Sequence, residues 1–116
     1  MTITRIAPGP RMSGAVVHGD TIYLAGHVSD DPSLGVGGQT AAILARIEER
    51  LAAAGSDKSR LLAVTIWLPD IATFAEMNEV WDAWVDRANP PARATVEAKL
   101  ASPDYLVEIA GIAARG

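Results

Sequence analysis

Residues Leu61–Leu68, LLAVTIWL, form a nearly continuous apolar run of about strand length. Such a run predicts a central strand, and Pro69 ends it. Two shorter β-rich runs, Ala15–His18 and Thr21–Ala25, flank Gly19-Asp20, a compact turn pair, and predict a hairpin. The stretch HVSDDPSLGVGGQ that follows is polar and marked by Gly and Pro, so it reads as a loop. From about Gln39 the period changes. Ile43, Leu44, Ile47 and Leu51 fall at helical spacing, with Arg46, Glu48, Glu49 and Arg50 on the remaining face, and Gly55 is placed to stop the helix. Thr73-x-x-Glu76 has the pattern of a capping box. Phe74, Met77, Trp81 and Trp84 then make one helical stripe, which Asn89-Pro90-Pro91 closes. Ala92–Lys99 alternates: Arg93, Thr95, Glu97 and Lys99 share one face, Ala94, Val96 and Ala98 the other. After a turn at Ser102-Pro103-Asp104, the last strand is Leu106–Ala114, where every residue is apolar or Gly except Glu108.

The order is hairpin, helix, strand, helix, strand, strand. It predicts one α+β domain spanning residues 1–116, with two helices packed on one face of a mixed sheet. Two helices cover one face only, yet several strands read as apolar on both. A second subunit is the simplest cover for the other face, so an oligomer is expected; the rival is a sheet coiled tightly enough to cover itself.

Composition narrows the function. Ten basic residues against 14 acidic give a net charge of −4, which argues against broad nucleic-acid binding and leaves room only for a local basic patch. The chain has no Cys, so disulfides, thiolate metal sites and a Cys nucleophile are excluded. MTITRIAPGP has no signal core and no apolar run reaches the roughly 18 residues of a membrane span, which leads to the expectation of a cytoplasmic protein without a membrane partner.

Arg93 opens a strand directly after a rigid Pro-Pro segment, and its fork of donors suits a carboxylate. The ordinary reading of such an arginine is a solvated edge residue. Glu108 fits a general base, a water-orienting group, or a structural partner in a salt bridge or on backbone N–H groups. The two lie on consecutive strands, which brings them near each other without establishing contact. Asn78 sits beside the second helix's apolar stripe, where its amide reaches a ligand or solvent. Trp81 is most simply core, as are Trp67 and Trp84. His27 suits a proton carrier near neutrality or a structural role. GVGGQ lacks the Lys and spacing of a phosphate loop and reads as a flexible helix start.

NPPARATVEAKLASPDYLVEIAGIAA closely resembles the signature of the RidA (YjgF-type) family of reactive-intermediate deaminases. APGPRMSGAVVHGDTIYLAGHV is similar to that family's N-terminal hairpin, and the segment from Gly37 to Trp84 to its helix-strand-helix middle. The resemblance implies a chorismate-mutase-like fold and a homotrimer with clefts between subunits. It also implies hydrolysis of enamine and imine intermediates, such as 2-aminoacrylate, to 2-keto acids and ammonia, with no metal or organic cofactor. Carried over, Arg93 is the substrate-carboxylate anchor and Glu108 the residue that positions or activates water. Gly26 lines the cleft at a strand end, Asn78 lies near the site, and Thr95 takes a cleft-facing position often filled by Cys or Ser. The chain departs from the family at pocket-shaping positions. Arg11 stands where a Tyr is usual, Ala25 where a Ser is usual, Trp81 where a Tyr is usual, and His27 where a Gln often follows the glycine. Arg11 implies either a second anionic group on the substrate or mere contact with solvent. Two rival readings share the fold: a non-catalytic trimer that binds a small carboxylate in a regulatory role, and a ribonuclease, which the acidic balance disfavours.

Overall fold

The computed structural model describes all 116 residues. Its order is β1 (Ile3–Pro8), β2 (Ser13–His18), β3 (Thr21–His27), α1 (Val36–Ala53), β4 (Leu61–Leu68), α2 (Phe74–Trp84), β5 (Ala92–Glu97) and β6 (Glu108–Ala114). The six strands form one sheet in the order β1-β2-β3-β6-β4-β5. The β4–β5 pair is parallel and every other pair is antiparallel, so the sheet is mixed as expected. The run Leu61–Leu68 is the strand with neighbours β6 and β5, and its Val64, Ile66 and Leu68 are buried.

Both helices pack on one face. Ile22, Leu24, Ile66 and Ile109 of the sheet meet Ile43, Leu44, Leu51 and Met77 of the helices in one apolar core. Each such side chain contributes about 1.5–3 kcal/mol by leaving water. The β2–β3 turn is Gly19-Asp20, with Gly19 at φ +61° and Asp20 not in the left-handed region, as a two-residue II′ turn requires. The expected stop at Gly55 is a Schellman motif. Gly55, at φ +80°, donates to the Ala52 carbonyl at 3.0 Å and Ser56 donates to that of Leu51 at 2.8 Å.

Several details differ from the sequence expectation. The strand β1 has no counterpart in it: β1 lies at the sheet edge with most of its residues exposed, so burial leaves little alternation in ITRIAP to read. The helix α1 begins at Val36, so Gly37 and Gly38 form its first turn rather than a flexible approach to it. Thr73 makes no side-chain cap. Its hydroxyl donates back to the Asp70 carbonyl at 2.7 Å, and the Asp70 carboxylate caps the preceding short turn through Ala72 N–H at 2.9 Å. The helix α2 ends at Trp84, before the prolines, because Val85 turns extended and Lys58 Nζ takes up the freed Trp84 carbonyl at 2.6 Å. The strand β5 stops at Glu97 and β6 starts at Glu108 rather than Leu106. Trp67 is half-buried on the face away from the helices, not in the core.

That face is open in the single chain. Tyr23, Ala63, Val96 and Ile112 present apolar surface there. No helix of the chain is long and apolar enough to cross a membrane.

Candidate functional site

Register places the candidate residues in two groups. In the parallel β4–β5 pair, Val64 lies beside Arg93 and Ile66 beside Thr95, so Arg93 and Thr95 face the helices. The apolar residues Ala94 and Val96 face the open side, the reverse of the usual amphipathic strand. Arg93 then meets α2. Its Nη1 donates to Asn78 Oδ1 at 2.7 Å. Its Cζ stands 5.3 Å from the Trp81 ring centroid and 5.6 Å from that of Phe74, both within cation–π range. Phe74, Asn78 and Trp81 recur at helical spacing, so one face of α2 is the plate on which the guanidinium rests. The chain's two ion pairs, Arg46–Glu49 and Lys58–Glu48, leave Arg93 without an anionic partner. It is a half-buried cation oriented on aromatic rings and one amide, with further N–H donors uncommitted, and such a fork can take a carboxylate. On the same face of β5, Thr95 Oγ1 is buried without a hydrogen-bond partner.

The second group lies elsewhere. The strand β6 pairs Glu108 with Trp67, on the open face, together with Ala110 and Ile112. Beside it, β3 carries an irregularity between Leu24 and His27: three residue steps on β3 match two on β6, so Ala25 and Gly26 together oppose Ala110. This bulge brings Gly26 under the Glu108 side chain. A Cβ on Gly26 would overlap Glu108 Oε2 and stand 3.1 Å from its Cδ. The carboxylate of Glu108 therefore occupies the space that Gly26 leaves open, with half-buried Ala25 next to it.

Arg93 and Glu108 do not meet within the chain. They project from opposite faces of the sheet, and β4 lies between their strands. The nearness suggested by consecutive strands fails because β6 inserts between β3 and β4 instead of pairing with β5. Arg11 is exposed in the β1–β2 connection, at the sheet edge opposite to β5, so it does not join Arg93 within one chain either.

His27 is also set apart from Glu108. The bulge returns it to the helix side, where it is buried and its Nδ1 lies 2.6 Å from the Ala25 carbonyl. Burial lowers its pKa below the ordinary imidazole value. The backbone contact opposes this, and the positive charges of Arg50 and Arg46 add to it. No three His, Asp or Glu side chains converge to hold a metal ion.

Two contributors are missed by sequence reasoning. Gln39 is fully buried and clamps the segment leading into β6. Its Nε2 donates to the carbonyls of Leu34 and Asp104 at 3.1 and 3.0 Å, and its Oε1 accepts from Leu106 N–H at 3.0 Å. The available signal was a polar residue at i−4 from Ile43, on the apolar stripe. Phe74 reads only as one member of an apolar helical stripe, yet it is 37% exposed beside Arg93.

A family model described as Endoribonuclease L-PSP matches residues 2–115. A RutC family protein of Haemophilus influenzae is 45% identical over 117 residues, covering 97% of this chain and 98% of that protein. The RutC family protein YoaB of Escherichia coli is 45% identical over 114 residues, covering 98% of this chain and 99% of that one. A solved structure of a YjgF family member from Neisseria meningitidis matches with a TM-score of 0.97 at 44% identity, covering 100% of this chain and 97% of that chain.

Proposed function

The chain belongs to the RutC/YjgF family, and we propose that it is a hydrolytic deaminase of 2-imino acids, working as a homotrimer with its sites between subunits. The observation that carries this reading is the division of the site. Arg93 and Glu108 project from opposite faces of one sheet. A reaction that uses both needs the Arg93 group of one subunit to meet the Glu108 group of another. The apolar open face that carries Glu108 supports a neighbouring copy as its cover.

In the proposed reaction Arg93 binds the substrate carboxylate through two N–H donors. The rings of Phe74 and Trp81 and the Asn78 amide hold the guanidinium in place. This fixes the imine carbon relative to the neighbouring subunit's surface. Glu108 there orients a water and accepts its proton as the water oxygen bonds to that carbon. The C=N π pair passes to nitrogen, which takes the proton from Glu108. In the resulting carbinolamine the hydroxyl proton moves by the same carboxylate to nitrogen. The C–N bond then breaks as C=O forms, releasing ammonia and a 2-keto acid. An imine carbon is already electrophilic, so positioning and one proton shuttle account for much of the acceleration. Gly26 leaves the carboxylate its space, and Thr95 and Ala25 line the two sides.

The test generates 2-imino acids in situ with an amino-acid oxidase and follows keto-acid release with and without the protein. The reading predicts acceleration that Arg93→Ala removes while the oligomer survives. No acceleration across a panel of imines refutes it; binding of 2-keto acids without hydrolysis would then favour a non-catalytic carboxylate-binding protein. The description of the matching family model raises ribonuclease action as another reading. The net charge of −4 speaks against it, and an RNA-cleavage assay decides it.

A further inference from the structure

We propose that Phe74 selects the substrate: its exposed ring, beside the Arg93 fork, receives the substrate side chain, so the site favours 2-imino acids with large apolar side chains over the alanine-derived imine. This rests on the imine-hydrolase reading above.

A carboxylate held by two parallel N–H bonds lies in the plane of the guanidinium. Its α carbon and the first atoms of the side chain then lie on the order of 5–7 Å from the Arg93 Cζ. Both rings stand 5.3–5.6 Å from that same atom. They differ in what they offer a ligand. Trp81 is 6% exposed and belongs to the core, where it packs against Trp84 with ring centroids 5.5 Å apart. Phe74 is 37% exposed, at the first position of α2. Trp81 alone already supplies a face to the guanidinium, so the exposed part of Phe74 is free for a second contact. Burying apolar substrate atoms against a ring at this place raises affinity and kcat/KM in proportion to side-chain size.

The experiment compares kcat/KM for the imines of leucine, phenylalanine and alanine, generated in situ by an amino-acid oxidase. It uses the intact wild-type oligomer and the variants Phe74→Ser and Phe74→Tyr. The wild type is expected to prefer the two large imines by about tenfold over the alanine-derived one. Phe74→Ser is expected to compress that ratio to about twofold or less, and Phe74→Tyr, which keeps the ring, to retain it. The ratio separates a side-chain contact from a general loss of Arg93 alignment, which would lower all three substrates alike. Acceleration without a preference for the large imines in the wild type overturns the inference and leaves the hydrolase reading standing, even if Phe74→Ser does not fold. An unchanged ratio in folded Phe74→Ser overturns it too. Absence of acceleration for every imine overturns the hydrolase reading itself, and this inference with it.

Discussion

Gly26→Ala separates the chemistry of the site from the stability of the fold. Gly26 does not adopt a left-handed φ, so alanine takes its backbone conformation without strain. It is also exposed in the single chain, and the atoms that crowd a new Cβ all belong to the Glu108 side chain. Such a flexible terminus can retreat. To regain ordinary contact, Oε2 must move by about 1 Å. The energetic cost to the fold is about 1 kcal/mol or less, partly offset by the lower entropy of the unfolded alanine chain. The melting temperature should therefore shift by less than about 5 °C. Catalysis depends on position far more steeply, and an error of this size in the group that holds water lowers the rate by about 100-fold. The assays are a thermal melt and keto-acid release from imines generated in situ. A Gly26→Ala protein with full activity would refute the assignment of Glu108 as the water-holding group. A fall in melting temperature well beyond this range would refute the claim that only the carboxylate moves.

Asn78→Leu removes the 2.7 Å bond to Arg93 Nη1 and should raise KM about tenfold with a smaller effect on kcat, as steady-state kinetics will read. Arg93→Lys keeps the charge but loses the fork, and should reduce kcat/KM by about 100-fold in the same assay. Gln39→Leu strands the Leu106 N–H and the Asp104 carbonyl and should destabilise the fold by about 1–3 kcal/mol in denaturant unfolding. Burial depresses the His27 pKa in the folded state, so the unfolded chain binds the proton first as pH falls below about 6.5. Stability should decline with acidification through that window, and thermal melts of His27→Gln should show a shallower decline.

The parts of the fold that bury a periodic face are legible in the sequence. The run Leu61–Leu68, the stripe Ile43–Leu51 and the Gly19-Asp20 turn each carry their own physical signal, and each is found where that signal places it. Edge strand β1 buries little and so leaves no pattern. The end of α2 is capped by Lys58, which lies 26 residues away in sequence, a contact invisible to any local rule. The sequence names the candidate residues but not how the fold arranges them. Arg93 and Glu108 are named by the resemblance at NPPARATVE and YLVEIAGIAA, Gly26 and Asn78 by that of the hairpin and the middle segment; the contacts of Arg93 with Asn78 and of Gly26 with Glu108 come from the structure. Their placement on opposite faces depends on β6 entering between β3 and β4, a choice of topology that no spacing records. The exposure of Phe74 beside Arg93 escapes for a related reason: helical spacing marks a stripe as apolar without showing which end of it reaches the surface.

In the proposed assembly one site takes Arg93 and Glu108 from two different subunits. Complementation tests it directly. Arg93→Ala and Glu108→Gln proteins, each inactive alone, are unfolded, mixed in equal amounts and reassembled. With random mixing, a site between subunits receives an intact Arg93 from one side half the time and an intact Glu108 from the other half the time. Recovery of about a quarter of the wild-type imine-hydrolase activity is expected. No recovery from mixtures that demonstrably exchange subunits would contradict it, because a site contained within one chain always keeps one of the two defects.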